Sequence, residues 1–416
     1  MFCDNLKRIR KKAGRTQKDI ADHLSISAQS ISKWENGESL PSVEYLPLLA
    51  AFLGCSVNAF FDEEELSRFE DGYAPLRYEK NKDIKDKIND AFKHFSIDAE
   101  VVDVFDGVRV QTYKILMHRD VGINNILKKA DDIRFYIGVH NARFITDGYE
   151  GSYFGIEIAK VDFERLEFSD EEIKNILIPL NYSLPILLGK DVDNSLVSDD
   201  LARMAHLAVT GESGTGKTTF LWSVIRGLTA SLTPEELKLV VLDLKKCEFT
   251  ALENNAFLFD GVARDPDSAV VTLKKVVGEM NRRKELLNEA GVYNIQRYAD
   301  ATGKRFEKIV ILVDELADLV IMDSEAEELL IEIAMWGRTV GIHLIVATGY
   351  SSEELLSSLV LCNIPSRLSF RLSDKEDSLR VIDTSDATML DDRGDMLYMP
   401  ATASKPVRIQ GIYTSY

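Results

Sequence analysis

The sequence predicts an α/β fold over its carboxy-terminal half, preceded by an α+β segment and, at the start, by an all-α segment. Two observations predict the α/β part. Apolar runs alternate with helix-forming stretches, and the runs lie at Leu237–Asp243, Ile309–Asp314, Gly341–Thr348 and Arg367–Leu372. A glycine-rich loop of the form GxxxxGK[ST] at 211–218 also follows an apolar run and precedes a helix-forming stretch. Strands that alternate with helices pack as a parallel sheet with helices on both faces.

The length and composition are those of a globular protein with two or three domains. Of the 416 residues, 45% are hydrophobic and 28% are charged. We expect no membrane span, because no apolar run reaches roughly 18 residues, and no export signal is visible at Met1–Arg10. The four cysteines lie far apart in the chain, which predicts no metal site or disulfide and favours a cytoplasmic protein.

The net charge argues against a protein that coats nucleic acid nonspecifically. The whole chain carries −18 at pH 7, yet residues 1–60 contain eight Lys or Arg against six Asp or Glu. Any contact with a nucleic acid is therefore expected to use a local basic surface.

The first segment, residues 1–62, is predicted to contain short helices. Thr16 has the position of a helix N-cap, and Asp19 three residues later approximates a capping box. A third helix is predicted over Ala28–Glu35, and Ser42 is expected to start a fourth. Residues 63–80 contain glycine and proline and are predicted to be a linker.

The second segment, residues 81–186, is predicted to be an α+β accessory subdomain. Ile84, Ile88 and Phe92 recur at helical spacing. Strands are predicted at Val101–Phe105, Val108–Ile115, Asp132–Val139, Ala142–Thr146 and Tyr153–Lys160. Because this segment shows no catalytic group of residues, we expect the chemistry in the third segment, residues 187–416.

The loop at 211–218 predicts a nucleoside triphosphate site. Its glycines allow backbone N–H groups to surround a phosphate, and the following helix points its positive end at the same place. Lys217 is expected to reach the β- and γ-phosphates, and the Thr218 hydroxyl is expected to bind Mg²⁺. The predicted nucleotide-binding residues are Gly211, Glu212, Ser213, Gly214, Thr215, Gly216, Lys217, Thr218 and Thr219.

Two carboxylates end the apolar run that starts at Ile309. Asp314 is expected to hold Mg²⁺ together with Thr218, as at the corresponding strand end of phosphate-loop ATPases. Glu315 is expected to activate the attacking water, which converts phosphate binding into ATP hydrolysis. Placed after a phosphate loop in an alternating α/β segment, the pair predicts an ATP hydrolase.

Residues 1–62 resemble the Xre/Cro repressor helix-turn-helix family. The resemblance is carried by the string TQKDIADHLSISAQSISKWENG and by the Pro-initiated helix after it. It implies a recognition helix that enters the major groove of DNA. The residues that it places toward DNA are Ala28, Gln29, Ser30 and Lys33, with Gln17 supporting a phosphate contact. The alternative is a helical bundle that uses this fold only for protein contacts.

Residues from about 81 to the carboxy terminus resemble the FtsK/SpoIIIE family of DNA-pumping motors. Besides the loop, the resemblance is carried by LGKD at 188–191, DLK at 243–245, EMNRR at 279–283, GVYNI at 291–295, VDELADL at 313–319, GIHLIVAT at 341–348, NIPSR at 363–367 and RGDMLYMP at 393–400. It implies a RecA-like ATPase sheet, an accessory subdomain similar to the family's α subdomain, and a homohexameric ring around double-stranded DNA.

The same resemblance implies that ATP lies between subunits and that an arginine of the neighbour completes each site. Arg338 matches the position of this arginine, and Arg367 is a second candidate. A neighbour's arginine stabilises the charge developing on the γ-phosphate only when the ring is assembled. Lys375 matches a basic pore-loop position that contacts DNA.

The chain departs from the family where most members read ATQRP. The residues here are Ala347, Thr348, Gly349, Tyr350 and Ser351, so the glutamine suited to sensing the γ-phosphate and a basic residue are missing. Thr348 is the remaining candidate sensor. The sequence predicts neither the membrane spans nor the winged-helix DNA reader that are typical of the family's division motors. We expect the helix-turn-helix to replace the reader, and a separate membrane partner to supply the anchor.

These observations favour an ATP-dependent translocase of double-stranded DNA with a sequence-specific tether, for mobile-element or plasmid DNA transfer. The alternative is a DNA-binding transcriptional or replication regulator whose ATPase domain serves as an oligomerisation switch. The missing glutamine favours this alternative, and Glu315 counts against it. A protein-secretion ATPase is a third possibility, against which the DNA-reading segment counts.

Overall fold

The computed structural model describes residues 2–24, 26–41, 45–53, 55, 57–62, 66, 83–118, 122–146, 152–160, 162–349 and 363–414. The predicted helix start at Ser42, residues Tyr350 and Ser351, and nearly all of the predicted linker lie outside these ranges. The chain divides into two compact units, Met1–Lys87 and Ile88–Tyr416. Each unit has a hydrophobic core of its own.

Four helices form most of the N-terminal unit. They are α1 (Phe2–Lys12), α2 (Gln17–Leu24), α3 (Ala28–Glu35) and α4 (Tyr45–Leu53). Leu6, Ile20 and Leu49 are fully buried where these helices meet. The predicted capping box is present, because Asp19 N–H donates to Thr16 Oγ1 at 3.1 Å and Thr16 N–H donates to the Asp19 carboxylate at 2.7 Å. The third predicted helix also has the predicted bounds.

A buried carboxylate joins three helices of this unit. The Glu35 side chain accepts hydrogen bonds from Arg10 Nε and Nη2 at 2.5 and 3.0 Å, and from Gln17 Nε2 at 2.8 Å. Burial raises the pKa of Glu35, but the hydrogen bonds from Arg10 and Gln17 outweigh burial, so the pKa is lowered. The charged carboxylate therefore fixes α1, α2 and α3 relative to one another.

The second unit contains an accessory subdomain built on a four-stranded antiparallel sheet. Its strands are β1 (Ala99–Asp106), β2 (Val110–Met117), β3 (Arg143–Ile145) and β4 (Tyr153–Ala159), in the spatial order β1-β2-β4-β3. Along the chain, α5 (Ile84–His94) precedes β1, while α6 (Ile123–Leu127) and α7 (Ala130–Ile137) lie between β2 and β3. Four of the five predicted strands are confirmed.

The strand predicted over Asp132–Val139 is wrong. Helix α7 occupies this region and ends at Gly138, whose φ of 73° is left-handed. Ala130, Ile133 and Ile137 are buried, and their spacing of three and four residues is helical. The aromatic and β-branched residues here favour a strand by propensity, but packing of one face against the subdomain decides the structure.

A ten-stranded sheet forms the centre of the predicted motor, in the order β6-β5-β14-β13-β12-β7-β11-β10-β8-β9. Its strands are β5 (Pro185–Asp191), β6 (Leu196–Asp200), β7 (Leu207–Thr210), β8 (Leu237–Leu242), β9 (Leu258–Ala263), β10 (Lys308–Val313), β11 (Ile342–Thr348), β12 (Ser366–Ser369), β13 (Asp395–Met399) and β14 (Val407–Gly411). The six strands from β12 to β9 are parallel, as predicted. The other four pair antiparallel and were not predicted.

Helices cover both faces of this sheet. They are α8 (Asp170–Leu177), α9 (Leu201–Met204), α10 (Lys217–Ser231), α11 (Pro266–Glu289), α12 (Ile295–Thr302), α13 (Leu316–Met322), α14 (Ser324–Trp336) and α15 (Lys375–Ile382). Ile311 of β10 packs in one core with residues of α11 and α14, whereas the adjacent Leu312 packs in the other core with residues of α10. Among the described residues, no helix is both long enough and apolar enough to cross a membrane.

The parallel strands end in register at one edge of the sheet. Thr210 pairs with Thr348 of β11 and with Ser369 of β12. Val313, the last residue of β10, pairs with Val346. Loops after neighbouring parallel strands meet at their carboxyl edge. The first residues after these strand ends are Gly211, Asp314, Gly349 and Phe370.

A buried ion-pair network joins the accessory sheet to the motor sheet. Arg408 of β14 donates to the Glu157 carboxylate of β4 at 3.0 Å and to the Asp395 carboxylate of β13 at 3.0 and 2.6 Å. Arg143 lies 3.4 Å from Glu157 and donates to Asp386 at 2.7 Å. Burial lowers the pKa of Arg408, but Asp395 and Glu157 outweigh it, so the pKa is raised. The guanidinium is therefore a fixed charge between the two sheets.

Two buried histidines join the starts of β7 and β11. His206 Nδ1 accepts a hydrogen bond from Leu344 N–H at 2.9 Å, and His343 Nδ1 donates to the Ala205 carbonyl at 2.7 Å. Burial lowers the pKa of His206 to about 3 and that of His343 to about 4. Both imidazoles are therefore neutral in the folded protein at neutral pH.

Replacing Arg408 with Met leaves two buried carboxylates without their closest cation. Breaking a buried pair in this way costs about 3–5 kcal/mol, which we expect as a lower free energy of unfolding of the motor in urea. The matched control is Lys274→Met, because Lys274 pairs with Glu325 at 2.8 Å while both are about half exposed. An exposed pair contributes at most about 1 kcal/mol. Equal losses in the two variants would contradict the role given to Arg408.

The histidine pair predicts a loss of stability in mild acid. Unfolded histidines bind protons below a pKa of about 6.5, whereas His206 and His343 stay neutral in the folded protein until about pH 3 and 4. Between about pH 6.5 and 4 the unfolded state therefore binds more protons, and stability falls as the pH falls. The two groups together contribute at most about 2.7 kcal/mol per pH unit.

His206→Asn tests this expectation, because the Asn side chain carries an acceptor for Leu344 N–H but does not titrate in this range. We expect the decrease in melting temperature between pH 7 and pH 5 to be smaller in the variant than in the unaltered chain. An unchanged decrease would show that His206 binds its proton equally well in both states.

Candidate nucleotide site and DNA-binding surfaces

The predicted phosphate loop lies between β7 and α10 and packs against Phe370. Gly211 and Gly216 have φ values of 149° and 127°. A Cβ on Gly211 would lie 2.6 Å from Phe370 Cβ, and one on Gly216 would lie 3.3 Å from Phe370 Cε1. Only glycine fits such backbone angles without strain. Because α10 begins at Lys217, its free N–H groups face the loop and suit an anion.

Lys217 is buried within this loop. Its Nζ donates to the carbonyl oxygens of Gly211 and Glu212 at 2.7 and 2.9 Å. Burial lowers the pKa of Lys217, while the nearby Glu315 opposes this effect. A buried ammonium held by carbonyl oxygens is a binding group for phosphate oxygens, because their negative charge stabilises the protonated amine.

Thr218 and Asp314 lie together at the first turn of α10. Thr218 Oγ1 donates to Asp314 Oδ1 at 3.3 Å, and the Asp314 side chain is buried. The Lys245 ammonium lies 2.8 Å from Asp314 Oδ2. A hydroxyl and a carboxylate oxygen are ligands that Mg²⁺ prefers, usually together with phosphate oxygens and waters. The two predicted residues therefore fit a Mg²⁺ ion.

The Glu315 carboxylate is held next to this pair. Gly349 N–H donates to Glu315 Oε1 and Oε2 at 2.9 and 3.1 Å. A Cβ on Gly349 would lie 3.3 Å from Glu315 Oε2 and 3.5 Å from Lys217 Nζ. Thr348, the predicted sensor, is buried at the end of β11, and the residue after it, Gly349, contacts Glu315.

Lys245 belongs to the site but was not predicted. Burial lowers its pKa, but the hydrogen bond and charge of Asp314 outweigh burial, so the pKa is raised. Lys245 lies in the loop after β8, the strand next to β10. Its position shortly after a parallel strand is the sequence feature that could have identified it as a site residue. The sequence had identified DLK at 243–245 only as part of the family resemblance.

The two candidate arginines lie away from this group. Arg338 is in a 3₁₀ turn, Gly337–Val340, directly before β11, whereas the loop lies at the carboxyl end of the strands. A strand of seven residues spans roughly 23 Å, so Arg338 does not reach the nucleotide site of its own chain. Arg367 Nη1 donates to the carbonyls of Arg380 and Val381 at 3.1 and 3.2 Å.

The predicted DNA-contacting residues are largely at the surface of their units. In the N-terminal unit, Ala28, Gln29 and Lys33 are exposed on α3, and Ser30 is partly buried. Gln17 is partly buried and donates to Glu35. These five assignments to DNA contact stay predictions.

Lys375 is exposed at the first position of α15, in the second unit. Two acidic residues, Glu376 and Asp377, directly follow Lys375 on this helix. Arg380 of the same helix lies 3.7 Å from Glu376 and 3.5 Å from Asp377. The surface of this helix is therefore mixed in charge, and its contact with DNA stays a prediction.

Comparison with protein families gives three matches. Residues 181–383 match the FtsK/SpoIIIE family, residues 66–160 match the FtsK alpha domain, and residues 6–60 match a helix-turn-helix family. The motor and its accessory subdomain belong to the FtsK/SpoIIIE family. The matches confirm both resemblances found in the sequence.

Two curated relatives show the extent of this similarity. DNA translocase FtsK of Caldanaerobacter subterraneus subsp. tengcongensis is 32% identical over 331 residues, which are 79% of this chain and 47% of the relative. DNA translocase SpoIIIE of Bacillus subtilis is 32% identical over 340 residues, covering 79% of this chain and 43% of the relative. The chain therefore spans less than half the length of these FtsK/SpoIIIE relatives.

Solved structures confirm the motor ATPase fold. The structure of the pCW3 conjugation coupling protein TcpA, a monomer form with ATPγS, has a TM-score of 0.56 at 20% identity and covers 80% of this chain and 95% of that one. The cytoplasmic domain of the type VII secretion ATPase EccC from Thermomonospora curvata has a TM-score of 0.51 at 23% identity and covers 56% and 29%. At these identities the likeness concerns the fold alone.

Proposed function

We propose that this chain is a cytoplasmic ATP-driven translocase of double-stranded DNA, working as a homohexameric ring with a sequence-specific DNA-binding tether. The observation that carries the proposal is the group formed by the phosphate loop, Asp314 and Glu315 at one edge of the sheet. Family membership supports DNA as the substrate, because the matched FtsK and SpoIIIE relatives are named DNA translocases.

Each residue of the site has a separate role in ATP hydrolysis. Lys217 and the N–H groups of the loop bind and orient the triphosphate. Thr218 and Asp314 would hold Mg²⁺, which when bound neutralises charge on the β- and γ-phosphates. Glu315 orients the attacking water and accepts its proton at the carboxylate. The hydrogen bond from Gly349 N–H holds that carboxylate toward the loop.

The position of Arg338 supports a ring. Its turn precedes β11, at the edge of the sheet opposite the phosphate loop, so it fits a site on a neighbouring subunit. A guanidinium supplied there stabilises the charge that develops on the γ-phosphate. Arg367 is the weaker candidate for this role, because its guanidinium already donates to two backbone carbonyls. The Lys375 helix is our candidate for the DNA contact in the ring.

The N-terminal unit supports the tether. Gln29 and Lys33 are exposed on α3, the proposed recognition helix, where side-chain amides read base edges and ammonium groups contact phosphates. A domain that recognises a particular DNA site would load the motor to which it is fused at that site. Transfer of a plasmid or mobile element is therefore the process that we propose, with a separate membrane partner as anchor.

A regulatory ATPase switch is the second candidate function. The observation that favours it is Gly349, which contributes only its N–H to Glu315 and has no side chain to sense the γ-phosphate. A switch needs nucleotide binding and slow turnover, both of which such a site permits. A secretion ATPase shares the fold, but the helix-turn-helix match favours a function on DNA.

ATP hydrolysis by the full chain, with and without long double-stranded DNA, tests the proposal. We expect DNA to stimulate turnover, and Glu315→Gln to lower it roughly 10²–10⁴-fold because the general base is removed. The matched control is Glu325→Gln, the same change at a half-exposed surface residue, which leaves turnover unchanged. Slow turnover that DNA does not alter, with nucleotide binding intact, would rule out the translocase and favour the switch.

Gly349→Val tests the contact at Glu315. A Cβ at this position already lies within 3.5 Å of Glu315 Oε2 and Lys217 Nζ, so two further methyl groups displace the carboxylate. Misplacement by about 1 Å reduces rates by roughly 100-fold, and we expect a lower kcat in steady-state ATPase assays. Gly278→Val is the control, because a Cβ on Gly278 meets no atom within 4 Å. Equal kcat values in the two variants would contradict the role given to Gly349 N–H.

A further inference from the structure

The Asp314 carboxylate has a different neighbour at each of its two oxygens. Thr218 Oγ1 donates to Oδ1 at 3.3 Å, and the Lys245 ammonium lies 2.8 Å from Oδ2. The Asp314 side chain is 1% exposed, whereas that of Lys245 is 35% exposed. Oδ1 is therefore the oxygen next to Thr218, the other predicted ligand of Mg²⁺, and Oδ2 is the oxygen that Lys245 holds.

Lys245 compensates Oδ2 of this buried carboxylate. Among the residues that the structure describes, Oδ2 has no hydrogen-bond partner other than this ammonium. A buried carboxylate oxygen without a partner is costly. The outer torsion of an Asp side chain has broad minima, so the carboxylate turns readily. Without the ammonium, we expect Asp314 to turn Oδ2 toward another donor and to move Oδ1 away from Thr218.

The loop that carries Lys245 is itself held in place. Asp243 at the end of β8 is fully buried, and its Oδ2 accepts from Glu248 N–H and from Phe249 N–H, both at 3.1 Å. Trp222 of α10 donates from Nε1 to the Glu248 carbonyl at 3.1 Å. The loop is thus fixed to the end of β8 and to α10, so the Lys245 side chain projects from a defined position.

The charges of the site allow Lys245 to stay in place when a metal nucleotide binds. Lys217 and Lys245 contribute two ammonium groups, and Asp314 and Glu315 contribute two carboxylates. The phosphates of a nucleotide carry more negative charge than one Mg²⁺ ion neutralises. A bound metal nucleotide therefore adds net negative charge, which both ammonium groups stabilise.

We propose that Lys245 is a positioning residue for the metal of this site: its ammonium holds Asp314 Oδ2, so that Oδ1 stays directed toward Thr218 as a ligand. The inference rests on the proposed function, since it concerns the same ATPase site. Groups that hold a metal ligand orient it, and loss of one typically lowers metal affinity about 10–100-fold. In this role Lys245 acts through Asp314.

Titration of Mn²⁺ into the full chain with bound ADP, followed by electron paramagnetic resonance, tests the proposal. Mn²⁺ takes the same oxygen ligands as Mg²⁺, and its signal reports binding without turnover. The chain is kept in excess over ADP, so that Mn²⁺ is counted on bound nucleotide. We expect Lys245→Met to weaken Mn²⁺ binding about 10–100-fold. Lys245→Arg keeps a cationic donor at this position, so we expect it to restore most of the affinity.

Lys246→Met is the matched control, because Lys246 is the next residue of the same loop and is exposed. We expect this variant to keep the Mn²⁺ affinity. Unchanged or tighter Mn²⁺ binding in Lys245→Met would overturn the inference, since an ammonium that only repels the metal gives the opposite sign. Mn²⁺ that binds neither the unaltered chain nor a variant, although ADP is bound, would instead overturn the metal site of the proposed function.

A measurement on the unaltered chain decides if Lys245→Met does not fold. Only a deprotonated amine reacts with an acetylating reagent, and an ammonium paired with a buried carboxylate seldom loses its proton. We expect Lys245 to be acetylated more slowly than Lys246, both without ligand and with Mn²⁺ and ADP. Equal rates for the two lysines, or faster acetylation of Lys245 once Mn²⁺ and ADP are bound, would overturn the inference, because the ammonium would then not hold Asp314.

Discussion

The buried guanidinium of Arg408 is the interaction on which the arrangement of the motor depends. It lies between the carboxylates of Glu157 and Asp395, which belong to the accessory sheet and the motor sheet. Asp395 directly follows Gly394, whose N–H donates to the phosphate loop at Thr215. A charge this deeply buried is stable only with both partners in place. Packing of the two sheets and the position of the loop are therefore linked by a few consecutive residues.

The candidate catalytic residues lie at two opposite edges of the parallel sheet. At the carboxyl edge, strand register brings Lys217, Asp314 and Glu315 into one group. At the amino edge lies the turn that carries Arg338, next to the buried and neutral His343. An arginine on the opposite edge completes a site only if a second copy presents it. The geometry of a single chain thus explains why we propose a ring.

Two residues near the phosphate loop leave a contact unmade that a protein interior usually provides. Gly349 leaves the space beside Glu315 and Lys217 without a side chain, and Gln410 Oε1 has no hydrogen-bond partner among the residues that the structure describes. Such exceptions tend to mark sites where a ligand supplies the missing contact. In our proposed function, Gly349 contributes an N–H to the carboxylate of Glu315.

The sequence by itself determined what depends on neighbours in the chain. The phosphate loop, the strand that ends at Asp314 and the capping box of α2 were predicted because short-range spacing fixes each of them. The strand predicted at 132–139 failed because tertiary packing overrode β-propensity. Arg408, Lys245 and Gln410 were found only in the tertiary structure. Arg408 and Lys245 pair with carboxylates remote in sequence, and Gln410 is held by a loop carbonyl, so the spacing of residues along the chain does not by itself specify these contacts.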